Sequence, residues 1–279
     1  MPIWHAVVLG IVQGLTEFLP ISSTAHLVVA RTLLGHGNAN DGFTTVIQLG
    51  TLAAVFAYFR ADVVRLWHGI AGDLRARRVG CTPDGRLAWL IVVGSIPAGV
   101  AGLVLKSWLK EHFYNLRAMA WVAIAFAILM ALAELWSRSR RNVANPGRTI
   151  ERVGIFDAIW VGLWQALALM PGASRSGCTI SGGLFAGLDR TTAARFSFLL
   201  SLPIMLAAGL KEFWDDRRQL LASGDDAAAL LVGLAVSALV GYASIAWLLR
   251  FLAQHTMGAF VIYRLALGGG ILLVLAVRS

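Results

Sequence analysis

Six long apolar segments decide what this chain can fold into. They are residues 43–59, 87–105, 118–136, 196–213, 227–249 and 259–277. A helix needs about 20 apolar residues to cross the hydrocarbon core of a bilayer, so each segment can cross, some with little tilt. The chain is 58% hydrophobic and only 14% charged, whereas a soluble domain is about 25% charged. We therefore expect an all-α integral membrane protein with six transmembrane helices, folded as a single membrane domain over residues 1–279.

Two further apolar segments, 3–34 and 155–187, are interrupted. Pro20 breaks the first and Pro171-Gly172 breaks the second, and a run of Ser, Thr and Gly follows each break. A broken helix cannot leave its backbone polar groups unpaired against lipid, but it is tolerated where it lines a cavity enclosed by protein. The sequence therefore predicts two re-entrant helix–turn–helix elements.

The two broken segments belong to an internal repeat with an offset of 151–153 residues. The matched sets are Gly10-x-x-Gln13-x-Leu15 with Gly162-x-x-Gln165-x-Leu167, Pro20 with Pro171, and Phe43, Leu49 and Ala54 with Phe196, Leu202 and Ala207. Each half holds one re-entrant element and three spans, and an odd number of crossings inverts the second copy. We expect an inverted repeat, with halves 1–136 and 155–279 and a site near the midplane where the breaks meet.

The distribution of arginine predicts the orientation. The loops 60–86 and 137–153 carry eleven arginines: Arg60, Arg65, Arg75, Arg77, Arg78, Arg86, Arg138, Arg140, Arg141, Arg148 and Arg152. The opposite loops, 106–117 and 211–226, hold three basic residues each. Positively charged loops stay in the cytoplasm, which places both termini outside. The net charge of +9 then reflects attraction to anionic lipid. We expect no nucleic-acid partner, because no basic stretch carries interleaved aromatic residues.

The first break holds an acid and three hydroxyls. Gln13 and Glu17 are four residues apart and share one helix face. Glu17 is either a carboxylate near the membrane interface or a functional acid, because burying a carboxylate in a membrane is costly. Ser22, Ser23 and Thr24 lie where the next helix begins. They cap that helix, or bind an anion at its start, and both roles can hold together.

Two charged or titratable residues complete this set. His26, just beyond the hydroxyls, is either structural or a catalytic partner of Glu17. Arg175 is the one cation in the second break, where Gly172 and Gly177 permit a tight turn. Its planar guanidinium suits phosphate oxygens, and the alternative is a structural ion pair with Glu17. Arg264 and Gln48 are weaker candidates for the lining of the same cavity.

Two long motifs resemble one known family. GIVQGLTEFLPISSTAHL resembles the first block of the undecaprenyl-diphosphate phosphatase (bacitracin-resistance) family, and PGASRSGCTISGG resembles its second. The stretches VIQLGTLAAV and FSFLLSLPIMLAAG also resemble that family, so the similarity spans the whole chain. The resemblance implies hydrolysis of undecaprenyl diphosphate to undecaprenyl phosphate and inorganic phosphate, which recycles the lipid carrier of peptidoglycan synthesis. It also implies bacitracin tolerance, a bacterial inner-membrane location, an active site open to the periplasm and a requirement for Mg²⁺ or Ca²⁺.

The resemblance also implies residue roles. The family has Glu or Gln, then three residues, then Glu; Gln13 is the Gln variant, which leaves Glu17 as the only carboxylate there and the expected metal ligand. Arg175 would hold the transferring phosphoryl group, and Ser23 or a water would attack, with His26 as proton acceptor or donor. Substrate contacts are expected from the neighbouring polar side chains, namely Gln13, Ser22, Thr24, Ser174, Ser176 and Thr179.

Two alternatives stay open at this point. Inverted repeats and broken helices are also common in transporters, so a lipid-carrier flippase or an anion transporter on the same fold is the rival function. The oligomeric state is also open between a monomer and a homodimer, because the small-residue motif Gly183-x-x-x-Gly187 is too common to decide it.

Overall fold

The computed structural model describes residues 1–35, 42–140 and 147–278. These residues form twelve α-helices and one short 3₁₀ turn, Ile150–Arg152, and contain no strand beyond an isolated bridge between Arg148 and Leu188. The helices are α1 (Ile3–Phe18), α2 (Ser23–Leu33), α3 (Gly42–Val46), α4 (Gln48–Tyr58), α5 (Arg60–Ala76), α6 (Pro83–Phe113), α7 (Leu116–Arg140), α8 (Ile155–Leu167), α9 (Arg175–Phe185), α10 (Arg190–Leu220), α11 (Gly224–Gln254) and α12 (Gly258–Arg278).

Five of these helices, α6, α7, α10, α11 and α12, are long and apolar enough to cross a membrane. The all-α membrane fold is therefore confirmed, and the described residues offer a sixth span if the bent segment that contains 43–59 is counted as one. The predicted span 43–59 consists of α3 and α4, and it continues into α5 through a bend of 81°. Arg60, Asp62 and Arg65 follow the bend. Charged groups are costly inside hydrocarbon, so the chain turns at the point where they begin.

The predicted loops are shorter than the sequence suggests. Most of the loop 60–86 is the helix α5. The loops 106–117 and 211–226 are also largely helical, because α6 and α10 continue to Phe113 and Leu220. A helix of 31 residues is ~46 Å long, which exceeds the ~30 Å thickness of the hydrocarbon core. Its polar end therefore extends beyond the hydrocarbon core. In the loop 137–153, Arg141 lies outside the described residues.

Three of the long helices start on a side-chain cap. The side-chain oxygens of Thr82, Asp189 and Ser223 accept hydrogen bonds from the backbone N–H groups three residues further on, at 3.0, 2.8 and 3.1 Å. These contacts satisfy backbone donors that have no partner within the helix. The polar turns between the spans therefore fix where α6, α10 and α11 begin.

The glycines of the repeated motif bring helices of opposite halves together. A Cβ atom on Gly10 in α1 would lie 2.9 Å from the carbonyl oxygen of Gly233 in α11. A Cβ atom on Gly162 in α8 would lie 2.2 Å from the carbonyl oxygen of Gly94 in α6. Only glycine permits such close approach. The helix before each break thus packs on a span of the other half.

The helix α9, which follows the second break, lies at the centre of the protein. All residues of α9 from Ser176 to Leu184 are buried, and α9 contacts α7, α8 and α10. Phe18, at the end of α1, packs edge-to-face on Phe198 of α10 with 5.4 Å between ring centroids. The backbone of the second break is therefore enclosed by protein, as expected for a broken helix in a membrane.

Candidate active site

Each break ends in a serine with an unusual backbone conformation. Ser22 precedes α2 with φ of 75°, and Ser174 precedes α9 with φ of 68°. Positive φ is uncommon outside glycine, and such strain concentrates at functional sites. The two serines are 152 residues apart in the sequence, as the repeat requires. They directly precede the N-termini of α2 and α9, where backbone N–H groups without a helical partner favour the binding of an anion.

Glu17 connects the two breaks. Its Oε2 atom accepts hydrogen bonds from Gln13 Nε2 at 3.0 Å and from Ser23 Oγ at 2.8 Å. Its Oε1 atom accepts a hydrogen bond from Arg175 Nη2 at 3.0 Å. The side chains of Glu17 and Arg175 are only 8% and 16% exposed. The ion pair that the sequence left open is therefore present, and Ser23 shares the same carboxylate.

An open cavity of about 690 Å³ lies over this cluster. Its polar lining consists of Glu17, Ser22, Ser23, Thr24, Gln48, Tyr114, Ser174 and Arg175, and its apolar lining includes Leu169, Met170, Ile204, Met205 and Ala208. Tyr114 lies in the turn between α6 and α7, at the opposite end of α6 from the arginine-rich segment 60–86. The cavity therefore combines an ion pair and several hydroxyls with apolar side chains in one lining.

His26 does not line this cavity. Its Nδ1 atom lies 2.7 Å from the carbonyl oxygen of Ser22, and its Nε2 atom lies 2.6 Å from the hydroxyl of Tyr263 in α12. A carbonyl oxygen only accepts, so Nδ1 carries the proton and Nε2 accepts from Tyr263 in the neutral ring. Both ring nitrogens are thus occupied by groups other than Ser23 and Glu17. The contact with Tyr263 was missed because 237 residues separate the partners.

Three of the predicted substrate-binding residues lie behind the cavity rather than in its wall. Ser176 Oγ donates to the carbonyl oxygen of Leu19 at 3.0 Å, which ties the second break to the first. Thr179 Oγ1 donates to the carbonyl oxygen of Arg175 at 2.8 Å. Gln13 is buried and donates to Glu17. These side chains hold the backbone and the carboxylate in place, whereas Ser22, Ser23, Thr24 and Ser174 face the cavity.

Arg264 forms hydrogen bonds to the backbone of both breaks on the side away from the cavity. It is fully buried and donates to the carbonyl oxygens of Gly172 and Ala173 at 2.9 Å each, and of Pro20 at 3.4 Å. Its Nε and Nη2 atoms also donate to Ala123 in α7 at 3.3 Å. The choice that the sequence left open for Arg264 is thus decided: it neither lines the cavity nor extends to the membrane surface.

The donor set fits a hard cation that is shared with a phosphate. The described residues contain no group of three or more His, Cys, Asp or Glu side chains that could hold a metal alone. The cavity wall nevertheless offers the Glu17 carboxylate, the hydroxyls of Ser22, Ser23 and Thr24 and the amide of Gln48. Mg²⁺ commonly uses one or two carboxylates, water and substrate phosphates. The residues therefore fit Mg²⁺ or Ca²⁺ only together with an anionic ligand.

The arrangement can perform chemistry on a phosphate. A hydroxyl within hydrogen-bond distance of a carboxylate is an activated nucleophile or a holder for a nucleophilic water. A guanidinium and two helix starts stabilise negative charge that develops nearby. The apolar side chains that line the cavity can accept a hydrocarbon chain.

Known proteins resemble this chain over nearly its full length. Residues 6–270 match the family model described as Bacitracin resistance protein BacA. A protein of Chlorobium limicola named undecaprenyl-diphosphatase is 46% identical over 280 residues, which cover 99% of this chain and 98% of the relative. Proteins of the same name from Chlorobium phaeobacteroides and Chlorobaculum tepidum are each 44% identical, with the same coverage. The chain therefore belongs to the bacitracin resistance protein BacA family.

Proposed function

We propose that this protein hydrolyses undecaprenyl diphosphate to undecaprenyl phosphate and inorganic phosphate. The observation that carries the proposal is the Glu17 carboxylate, which is hydrogen-bonded to both Ser23 and Arg175 in one cavity. The relatives named undecaprenyl-diphosphatase support the choice of substrate. The activity recycles the lipid carrier for peptidoglycan synthesis and gives bacitracin tolerance, because it removes the form of the lipid that the drug binds.

The polar and apolar side chains that line the cavity suit the two parts of this substrate. The diphosphate lies against Arg175 and the starts of α2 and α9, where charge and backbone donors favour an anion. The isoprenoid chain lies along Ile204, Met205 and Leu169 and leaves sideways into the lipid. An apolar lining beside Arg175 and the N-termini of two helices therefore favours a lipid with a phosphate head over a free nucleotide.

The short distance between Ser23 and Glu17 supports a direct proton transfer. Ser23 Oγ attacks the terminal phosphorus and transfers its proton to Glu17 Oε2, which lies 2.8 Å away. The bond between the terminal phosphorus and the bridging oxygen breaks, and undecaprenyl phosphate leaves. Water then releases inorganic phosphate from Ser23. A water held by Ser23 and Glu17 can instead attack directly and give the same products, and His26 positions the start of α2 in both routes.

Charge stabilisation completes the mechanism. Arg175 exchanges its contact with Glu17 for the transferring phosphoryl oxygens, where a planar fork is most effective. A divalent cation, Mg²⁺ or Ca²⁺, would be held by Glu17 and the phosphate oxygens, and it supplies charge neutralisation when bound. Gln13 keeps the Glu17 carboxylate aimed at the cavity.

The orientation and the repeat are part of the same proposal. The protein lies in the bacterial inner membrane with the cavity open to the periplasm, which the position of Tyr114 opposite the arginine-rich segment 60–86 supports. The halves 1–136 and 155–279 form an inverted repeat. The matched conformations of Ser22 and Ser174 support this. The rival function, a flippase or anion transporter, is not favoured, since the relatives are named for a hydrolase.

Phosphate release from purified undecaprenyl diphosphate tests the proposal. We expect the detergent-solubilised protein to release phosphate, and a chelator to abolish the release. A protein that moves the lipid across vesicles without releasing phosphate would favour the transporter. Full activity in the presence of chelator would refute the role of a divalent cation but would leave the proposed hydrolysis intact.

A further inference from the structure

The helix α5 packs on the first turn of α6. It is bent by 81° from the preceding segment 42–58. A Cβ atom on Gly69, in the middle of α5, would lie 2.4 Å from the backbone nitrogen of Gly85, in the first turn of α6. Since α6 spans the membrane, its first turn lies at the membrane surface. The middle of α5 therefore lies at that surface, and the bend turns α5 away from the direction of the apolar segment before it.

One side of α5 is packed and the other is not. Leu66, Gly69 and Asp73 are buried. On the opposite side, Val64, Trp67 and Leu74 are 55%, 69% and 62% exposed. Their spacing of three and seven residues places them in one stripe along the helix. A stripe of large apolar side chains on a helix at the membrane surface inserts into the boundary between headgroups and acyl chains.

Cations flank this stripe. Arg60 and Arg75 lie on the same side of α5 as the stripe by helical spacing, and Arg78 follows the helix. None of these three has an ion-pair partner among the described residues, whereas Arg65 is paired with Asp62 at 2.5 Å. The other acid of α5, Asp73, accepts hydrogen bonds from Gly80, Cys81 and Trp89 and faces inward. The exposed side of α5 is therefore cationic and apolar, without a balancing acid.

A surface groove of about 420 Å³ lies on this side of α5. It is lined by Trp67, His68, Ala71, Gly72 and Arg75. An aromatic ring, a guanidinium and two small residues provide room for a glycerol backbone beside a phosphate. Trp is also the side chain that prefers the headgroup level of a bilayer.

We propose that α5 lies in the plane of the membrane and binds anionic phospholipid headgroups of the leaflet on its own side. Val64, Trp67 and Leu74 insert between the acyl chains, and Arg60 and Arg75 contact the phosphates. A second copy of the chain is a poorer occupant, because a two-fold contact would bring the same arginines against one another. Anionic headgroups supply the missing negative charge.

Bound lipid can be counted on the full-length protein in detergent. The protein is mixed with equal amounts of phosphatidylglycerol and phosphatidylcholine, and the bound lipids are resolved by native mass spectrometry. We expect the double variant Arg60→Gln/Arg75→Gln to reduce the ratio of bound phosphatidylglycerol to phosphatidylcholine by roughly tenfold or more, since each surface arginine strengthens such binding severalfold. The matched control Arg217→Gln/Arg218→Gln, at the far end of α10, should leave the ratio near wild type.

Three further results decide the proposal. Trp67→Ala should lower the total lipid bound to the protein while phosphate release stays unchanged, because Trp67 does not line the cavity over Glu17. An unchanged ratio in the Arg60→Gln/Arg75→Gln variant would refute the proposal, and so would an equal loss in the control. A wild-type dimer that holds no phosphatidylglycerol, and that this variant dissociates, would assign the surface to a second copy instead.

Discussion

Replacing Arg175 by Lys separates the two roles that the position of this side chain allows. Arg175 donates to Glu17 at 3.0 Å and lines the cavity. It therefore stabilises a buried carboxylate in the resting protein and is placed to hold a phosphate during turnover. Lys keeps the charge but presents a single ammonium in place of a planar fork. The substitution should retain most of the first role and lose the second.

The expected loss of stability follows from the contacts of Glu17. Without Arg175, the carboxylate still accepts from Gln13 at 3.0 Å and from Ser23 at 2.8 Å. Only one charge-assisted hydrogen bond is lost, which is about 1.5–3 kcal/mol. Removing one partner of a fully buried pair costs about 3–5 kcal/mol, but this pair borders an open cavity. We expect Arg175→Ala to lose about 1.5–3 kcal/mol of stability and Arg175→Lys to lose less.

The expected loss of rate is larger. Removing one donor that stabilises transition-state charge lowers turnover by about 10²–10³, or roughly 3–4 kcal/mol. Arg175→Lys and Arg175→Ala should both show a decrease of this size. Melting temperature and phosphate release are measured on the same purified variants. A stable Arg175→Lys protein within tenfold of the wild-type rate would refute the phosphate role and leave only the structural ion pair with Glu17.

Four further substitutions follow from the same geometry. Ser23→Ala should abolish most phosphate release, whereas Ser176→Ala should keep turnover within about tenfold and mainly lower the melting temperature, because Ser176 binds Leu19 behind the cavity. Arg264→Lys should lower turnover more than it changes KM, because it loosens both breaks; equal changes in the two constants would contradict this. Gln13→Glu should keep activity in the presence of Mg²⁺, since a second carboxylate adds an oxygen ligand. A Gln13→Glu variant that is both less stable and inactive would exclude a role for residue 13 as an oxygen ligand.

The breaks and the polar residues that follow them could be predicted from the sequence because their signals are local. Proline ends a helix, hydroxyls start the next one, and a single acid or arginine in an apolar segment needs a partner. These signals identify Glu17 and Arg175, and the ion pair that joins them is one of the two alternatives that the sequence leaves open for Arg175. The positions of Ser22 and Ser174 followed from the repeat, although their positive φ angles did not.

The contacts made by α12 could not be predicted in the same way. Tyr263 and Arg264 lie within an ordinary apolar span, and nothing near them in the sequence indicates His26 or the two breaks. Their roles arise only when α12 packs beside α7 and brings them behind the site. The bend before α5 was missed for a different reason. Its arginines were assigned to a loop by charge alone, although Leu66, Gly69 and Asp73 follow a helical spacing.

The stoichiometry of products from purified undecaprenyl diphosphate is the decisive test of hydrolysis at Glu17. Undecaprenyl phosphate and inorganic phosphate are both quantified for wild type and for Glu17→Gln, with folding checked by thermal melting. We expect wild type to give one phosphate for each undecaprenyl phosphate. We expect a folded Glu17→Gln variant with at least a hundredfold lower rate, because one substitution removes the proton acceptor of Ser23 and the partner of Arg175. Wild-type protein that yields neither product, or a Glu17→Gln variant as fast as wild type, would refute the proposed hydrolysis at Glu17.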